Sequence, residues 1–151
     1  MNSTLPYFLY YGNASTPLRI LVDTGSNKNY VHPKYARVSH NTEKPFNVSS
    51  VGGDIKIDKF SKAKFFRPYS DIDVKFYHLA ELKSFDAIIG HNTLKELEAV
   101  IDTAKEKLII KNRHTINLLQ HKFEEVNQIE IRDEHLPEYQ KSELKKLLKD
   151  F

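Results

Sequence analysis

The chain has no cysteine among its 151 residues. That excludes disulfides, zinc knuckles, thiolate-ligated metals and thiol nucleophiles. It is compatible with a reducing compartment without demonstrating one. A marked excess of either charge is also missing: 23 Lys and Arg against 20 Asp and Glu leave +3, too little to attract a polyanion on that ground alone. No apolar run approaches the roughly 20 residues of a membrane span. The N-terminal stretch Met1 to Tyr11 lacks a basic leader and carries Pro6 inside its apolar run, so no secretory signal is expected there. The N-x-Ser/Thr sequons at Asn2, Asn13 and Asn47 then read as chance matches. Seven histidines occur, but none in a His-Glu-x-x-His pattern or at i, i+4 on a convincing helix, so no metal site is expected. No Gly-x-Ser-x-Gly elbow exists to support a serine hydrolase triad around Ser26.

What is present, 40% hydrophobic and 28% charged residues, suits one soluble domain with a real core. Short apolar runs punctuated by turn formers predict strands over residues 5–11, 17–22 and 29–31. Residues 46–60 predict a hairpin folding back at Ser50-Val51-Gly52-Gly53, where the glycine pair supplies the positive φ that tight turns need. Further strands are expected at 63–67, 72–79 and 85–89. After Gly90 the period changes. Asn92 or Thr93 caps a short helix, with Thr93 and Glu96 spaced as a capping box and Leu94 and Leu97 on one face. Val100 to Asp102 and Leu108 to Ile110 predict a last hairpin. Weaker strand signals follow at 115–119 and 128–131. The tail ends in an amphipathic helical pattern, with Leu144, Leu147, Leu148 and Phe151 at i, i+3, i+4 and i+7 and lysines on the other faces. The expected fold is mainly β, a closed barrel-like domain over residues 1–112, with a linker and helix over 113–151.

The chemistry concentrates at Ile20-Leu21-Val22-Asp23-Thr24-Gly25-Ser26. An acid placed directly after a buried strand, on a tight turn, is costly unless it is hydrogen-bonded or used. Taken alone the triplet is an ordinary turn. Its weight comes from a second element, Phe85-Asp86-Ala87-Ile88-Ile89-Gly90, followed by the short helix, with the glycine hairpin between the two. In that order these features resemble the retroviral-type aspartic proteases, or retropepsins. The signature of that family is two apolar residues, Asp-Thr/Ser-Gly, then a downstream apolar pair and Gly. The tail, with His135, Leu136 and Glu138 ahead of Leu144 to Phe151, is similar to the segment leading into reverse transcriptase in gypsy-class LTR retrotransposon Pol polyproteins.

The resemblance implies a peptide hydrolase without cofactor. One carboxylate activates water, a second protonates the substrate, and two held close share one proton. With a single Asp-Thr-Gly here, it implies a homodimer in which the Asp23 of each copy meets at a two-fold axis. It assigns Thr24 to bracing across the dimer, Gly25 to close substrate approach, and Ser26 to a hydrogen bond with the outer oxygen of Asp23. Val51, Gly52 and Gly53 become a mobile flap tip over an extended peptide. Ile88 and Ile89 pack beneath the loop and line side-chain pockets, and Gly90 and Asn92 are structural. Where many relatives pair an Arg after the second glycine with an acid beyond the triplet, this chain has His91 and Asn27, for which a neutral hydrogen bond is expected. The implied substrate is a polyprotein, and the implied setting intracellular and cytoplasmic, within virus-like particles. No membrane or nucleic-acid contact is expected of this segment. The alternatives are a domesticated, non-catalytic dimerisation or peptide-binding module, or a ubiquitin-pathway shuttle protease of the same fold.

Overall fold

Strands form where β-branched and aromatic residues cluster, and their burial explains their pattern. The computed structural model describes residues 4–11, 16–67 and 69–122. Its strands are β1 (Thr4–Tyr10), β2 (Leu18–Asp23), β3 (Asn29–Val31), β4 (His40–Ser50), β5 (Gly53–Ala63), β6 (Val74–His78) and β7 (Ala87–Gly90). The helix α1 (His91–Glu96) follows, then β8 (Val100–Asp102), β9 (Lys107–Ile110), β10 (His114–Asn117) and β11 (Leu119–Lys122). An eight-stranded sheet runs in the order β11-β1-β2-β7-β3-β6-β5-β4, and β10-β9-β8 form a separate three-stranded sheet.

Two parallel pairings sit at the middle of the large sheet, β2 with β7 and β3 with β6, while β3 and β7 run antiparallel. Parallel neighbours need long crossovers, so the chain between β2 and β7 must build the hairpin β4/β5 before it returns. Both faces of these central strands are covered. On β2, Ile20 and Val22 enter one core cluster with Phe8, Leu94, Leu97, Leu108 and Ile110. Leu21 points the other way, into a second cluster with Tyr30, Val48, Ile57, Phe85 and Ile88. That double burial is why β2, β3 and β7 read as continuous apolar runs rather than as alternating ones.

Several expectations are corrected. The sheet does not close into a barrel: β11 and β4 remain as its two edges and β8–β10 stand apart. Residues 65–67 form a turn, not a strand. The reason lies in Phe65 and Phe66, which are adjacent yet both buried in the first cluster, whereas a strand would send one of them to each face. The hairpin extends further than its apolar pattern, to His40 at one end and Ala63 at the other, with a register shift between Asn41 and Phe46. Pro45 lies in that irregularity on the edge strand, where a missing N–H costs no ladder bond. The helix begins at His91 behind Gly90, with no side-chain cap. Thr93 cannot serve as the cap because it is buried inside the first turn. Beyond residue 112, β10 pairs with β9 and β11 with β1. The tail strand at 128–131 and the tail helix lie outside the described residues.

Leu108 on the small sheet is fully buried in the first cluster, against strands of the large one. Leu108→Ala is expected to lower stability by about 2–5 kcal/mol. Urea unfolding checks this through a lower midpoint at an unchanged slope.

Candidate active site

Asp23 is the last residue of β2, and its register partner across the parallel pair is Gly90. The strand ends there because residues 23–26 fold into a turn, with the Ser26 N–H donating to the Asp23 carbonyl at 3.2 Å. The Gly25 N–H donates to Asp23 Oδ1 at 3.0 Å, tying the carboxylate to its own loop. Thr24 is exposed, Asp23 and Gly25 are half-buried, and Ser26 is buried. Burial pushes the Asp23 carboxyl up to about 6, with the Gly25 N–H pulling in the other direction.

The loop rests on a contact surface that no side chain could share. A Cβ on Gly90 would collide with the Lys28 carbonyl oxygen and approach that of Ser26 to 2.6 Å. Glycine is therefore required by close approach rather than by its own dihedral angles. The His91 N–H donates to the Ser26 carbonyl at 2.6 Å, so the first residue of α1 is stitched to the turn.

Asn29 locks the assembly. Its Oδ1 accepts from the Gly90 N–H at 2.8 Å, and its Nδ2 donates to Thr93 Oγ1 at 2.6 Å and to the Lys75 carbonyl at 3.0 Å. One buried amide thus joins β3, β6, β7 and α1 with its acceptor and both donors occupied. Asp86 braces the other side. Its carboxylate accepts from the Arg19 N–H at 2.8 Å and from the Tyr35 hydroxyl at 3.0 Å, which makes it a structural acid.

The remaining sequence-predicted residues divide. The Ser26 hydroxyl is not bonded to the Asp23 carboxylate: it donates to the Lys28 carbonyl at 2.8 Å and closes the loop instead. Among the described residues no hydrogen bond joins His91 to Asn27, and the His91 side chain is exposed, as is Asn92. The support expected of that pair comes from Asn29. Ile88 lies in the cluster that holds Val48 and Ile57 of the hairpin. Ile89 is fully buried and faces the opposite cluster with Leu94 and Leu97, so it supports the loop from beneath. Val51 is 71% exposed at the hairpin tip beside Gly52, and Gly53 takes φ +118°. The Ser50 hydroxyl closes the tip on the Gly53 carbonyl at 2.7 Å. Sequence reasoning missed Asn29, whose only signal was a polar residue ahead of the apolar pair Tyr30-Val31.

An Asp-Thr-Gly turn at the end of one strand, seated on the glycine of a parallel partner that leads into a short helix, defines a retropepsin-type domain. Sequence relatives agree. A retrovirus-related Pol polyprotein from transposon gypsy of Drosophila melanogaster is 32% identical over 136 residues, which is 87% of this chain and 13% of the relative. The corresponding polyprotein from transposon opus of the same species is 47% identical over 57 residues, 37% of this chain and 6% of the relative. The chain belongs to the gypsy-class retrotransposon Pol polyproteins as their retropepsin-type segment, spanning a small fraction of their length. No family model matches. Among solved structures, the retroviral protease-like domain of Ddi1 from Leishmania major is similar with a TM-score of 0.47 at 18% identity, over 78% of this chain and 97% of that one.

Two outcomes are expected. Asn29→Leu orphans the Gly90 N–H and should cost about 1–3 kcal/mol for that group alone, read by urea unfolding. The second concerns Asp23, whose folded value of about 6 lies above the ordinary aspartate value of 3.8. Between those values the folded state binds more protons, so stability falls as pH rises through the interval and is flat above it. Asp23→Asn should abolish this slope. The variant is then more stable than wild type above pH 6, by on the order of 1–3 kcal/mol, and the gap closes towards pH 4. Parallel pH profiles for the two proteins would contradict the assignment.

Proposed function

We propose that this chain is a homodimeric aspartic endopeptidase that cleaves a polyprotein, with a water molecule activated between two Asp23 carboxylates. The observation that carries this reading is the state of Asp23. It is a half-buried acid at a strand end, held by a backbone N–H and raised to about 6, with no cation placed to neutralise it among its described hydrogen-bond and ion-pair partners. A carboxyl that keeps its proton at mildly acidic pH is suited to general-acid work. A second such carboxyl, ionised beside it, is suited to act as base.

Only one Asp-Thr-Gly occurs in the chain, so the second carboxyl must come from another copy, and the pair then titrates as a unit. In the reaction, the ionised Asp23 takes a proton from water as its oxygen attacks the scissile carbonyl carbon. The protonated Asp23 gives its proton to the carbonyl oxygen. Collapse of the tetrahedral intermediate breaks the C–N bond: the amine nitrogen leaves with the proton of one Asp23 while the other Asp23 takes a hydroxyl proton from the intermediate, so the dyad recovers its shared proton. Thr24, exposed at the tip of the turn, is placed to meet the partner's loop. The hairpin tip Val51-Gly52-Gly53, joined to the core through Val48 and Ile57, has the exposure and backbone freedom of a closing flap. The substrate binds as an extended strand.

The test is cleavage of a peptide library at mildly acidic pH, by wild type and Asp23→Asn over a range of protein concentrations. Loss of at least about 10²-fold in rate is expected for the variant, with wild-type activity rising faster than linearly with concentration. Peptide binding without turnover by a demonstrably dimeric wild-type chain would instead make it a non-catalytic module.

A further inference from the structure

A row of rings starts at Phe46 and Tyr77, which pack against the second core cluster, and continues to Phe60 and His40. Phe46 meets Tyr77 edge-on at 4.9 Å, Tyr77 lies 6.3 Å from Phe60, and Phe60 lies 5.4 Å from His40. The rings are half-buried and His40 is exposed. Lysines lie over the row. Lys28 Nζ sits 4.2 Å from the centre of the Phe46 ring. Lys75 Nζ sits 4.2 Å from that of Phe60 and 5.1 Å from that of Tyr77, and Lys62 Nζ is 6.0 Å from Phe60. Ion pairs form between Lys64 and Asp73 and between Arg67 and Asp71. Among the described residues neither Lys62 nor Lys75 has a carboxylate at ion-pair distance.

We infer that this row is an accessory substrate site that binds an extended, acidic stretch of polypeptide flanking the bond to be cut. The inference rests on the protease reading for its direction, since Lys28 belongs to the Asp23 loop through the Ser26 bond to its carbonyl. A ring beneath an ammonium holds it in place without neutralising it, so the cations are pre-positioned rather than scattered in solvent. The rings lie 4.9 to 6.3 Å apart, so an extended acidic segment running over the row passes more than one of the cations. Single exposed ion pairs are weak, but several in register add up and are screened by salt. Single-stranded nucleic acid fits less well: it requires ring faces open for base stacking, and here the lysines cover them.

The test measures binding to the full chain carrying Asp23→Asn, so that it stands whether or not the wild type cuts peptides. A fluorescent ten-residue peptide alternating Glu and Ser is titrated by anisotropy against the same peptide with Gln for Glu, at low and moderate salt. The acidic peptide is expected to bind about tenfold more tightly at low salt. That advantage should fall at moderate salt, vanish in Lys62→Gln/Lys75→Gln and return in Lys62→Arg/Lys75→Arg. Circular dichroism establishes that each variant is folded. Equal binding of the two peptides, an unchanged preference in the Gln variant, or tighter binding of a single-stranded RNA oligomer of equal charge would overturn the proposal. Hydrolysis by wild type separately tests the role of Asp23, so failure of one leaves the other standing.

Discussion

The backbone contact between Gly90 and the loop that follows β2 is the constraint on which the site depends. The Lys28 and Ser26 carbonyls occupy the space where a Cβ at position 90 would stand, and this closeness lets the His91 N–H reach the Ser26 oxygen. A loop that would otherwise be free at its tip becomes part of the sheet, and Asp23 inherits the rigidity of two parallel strands. Tight turns are mobile by default. This one is fixed because a buried amide, Asn29, spends all its hydrogen bonds on the elements that surround it.

The electrostatics follow from the packing. A carboxylate at the end of a doubly covered strand loses hydration, and one backbone N–H does not restore it, so the proton is held to about 6. Ionising Asp23 costs the fold free energy, and under the proposed protease role the same raised value suits acid–base work. Asp86 shows the other outcome for an acid beside the same strands. Two good donors, the Arg19 N–H and the Tyr35 hydroxyl, satisfy it, and it serves as a brace.

Much of this was legible in order along the chain. Apolar runs ending in turn formers marked β2, β3 and β7 to within a residue or two, because strands buried on both faces carry no competing signal. Asp23, Gly25 and Gly90 stood out for the same reason. Errors arose where a long-range partner decides. Phe65 and Phe66 look like strand residues, but the core takes both side chains from one turn. Thr93 has the spacing of a helix cap but is claimed by Asn29. The weak strand signal at 115–119 falls on β10, but β11 exists through pairing with β1, and a pattern of polar residues gives no hint of a pairing partner.

The sequence alone determined the mainly β class and the position of the Asp23-Thr24-Gly25 turn, since short apolar runs ended by turn formers are local signals. Only the tertiary structure decided which residues hold that acid in place. Ser26 turned to Lys28, His91 turned outward, and Asn29 took up the bracing, because hydrogen-bond partners are chosen by which strands lie adjacent. Adjacency of β2, β7 and β3 is a property of the crossover connections, and no local stretch of the chain encodes it.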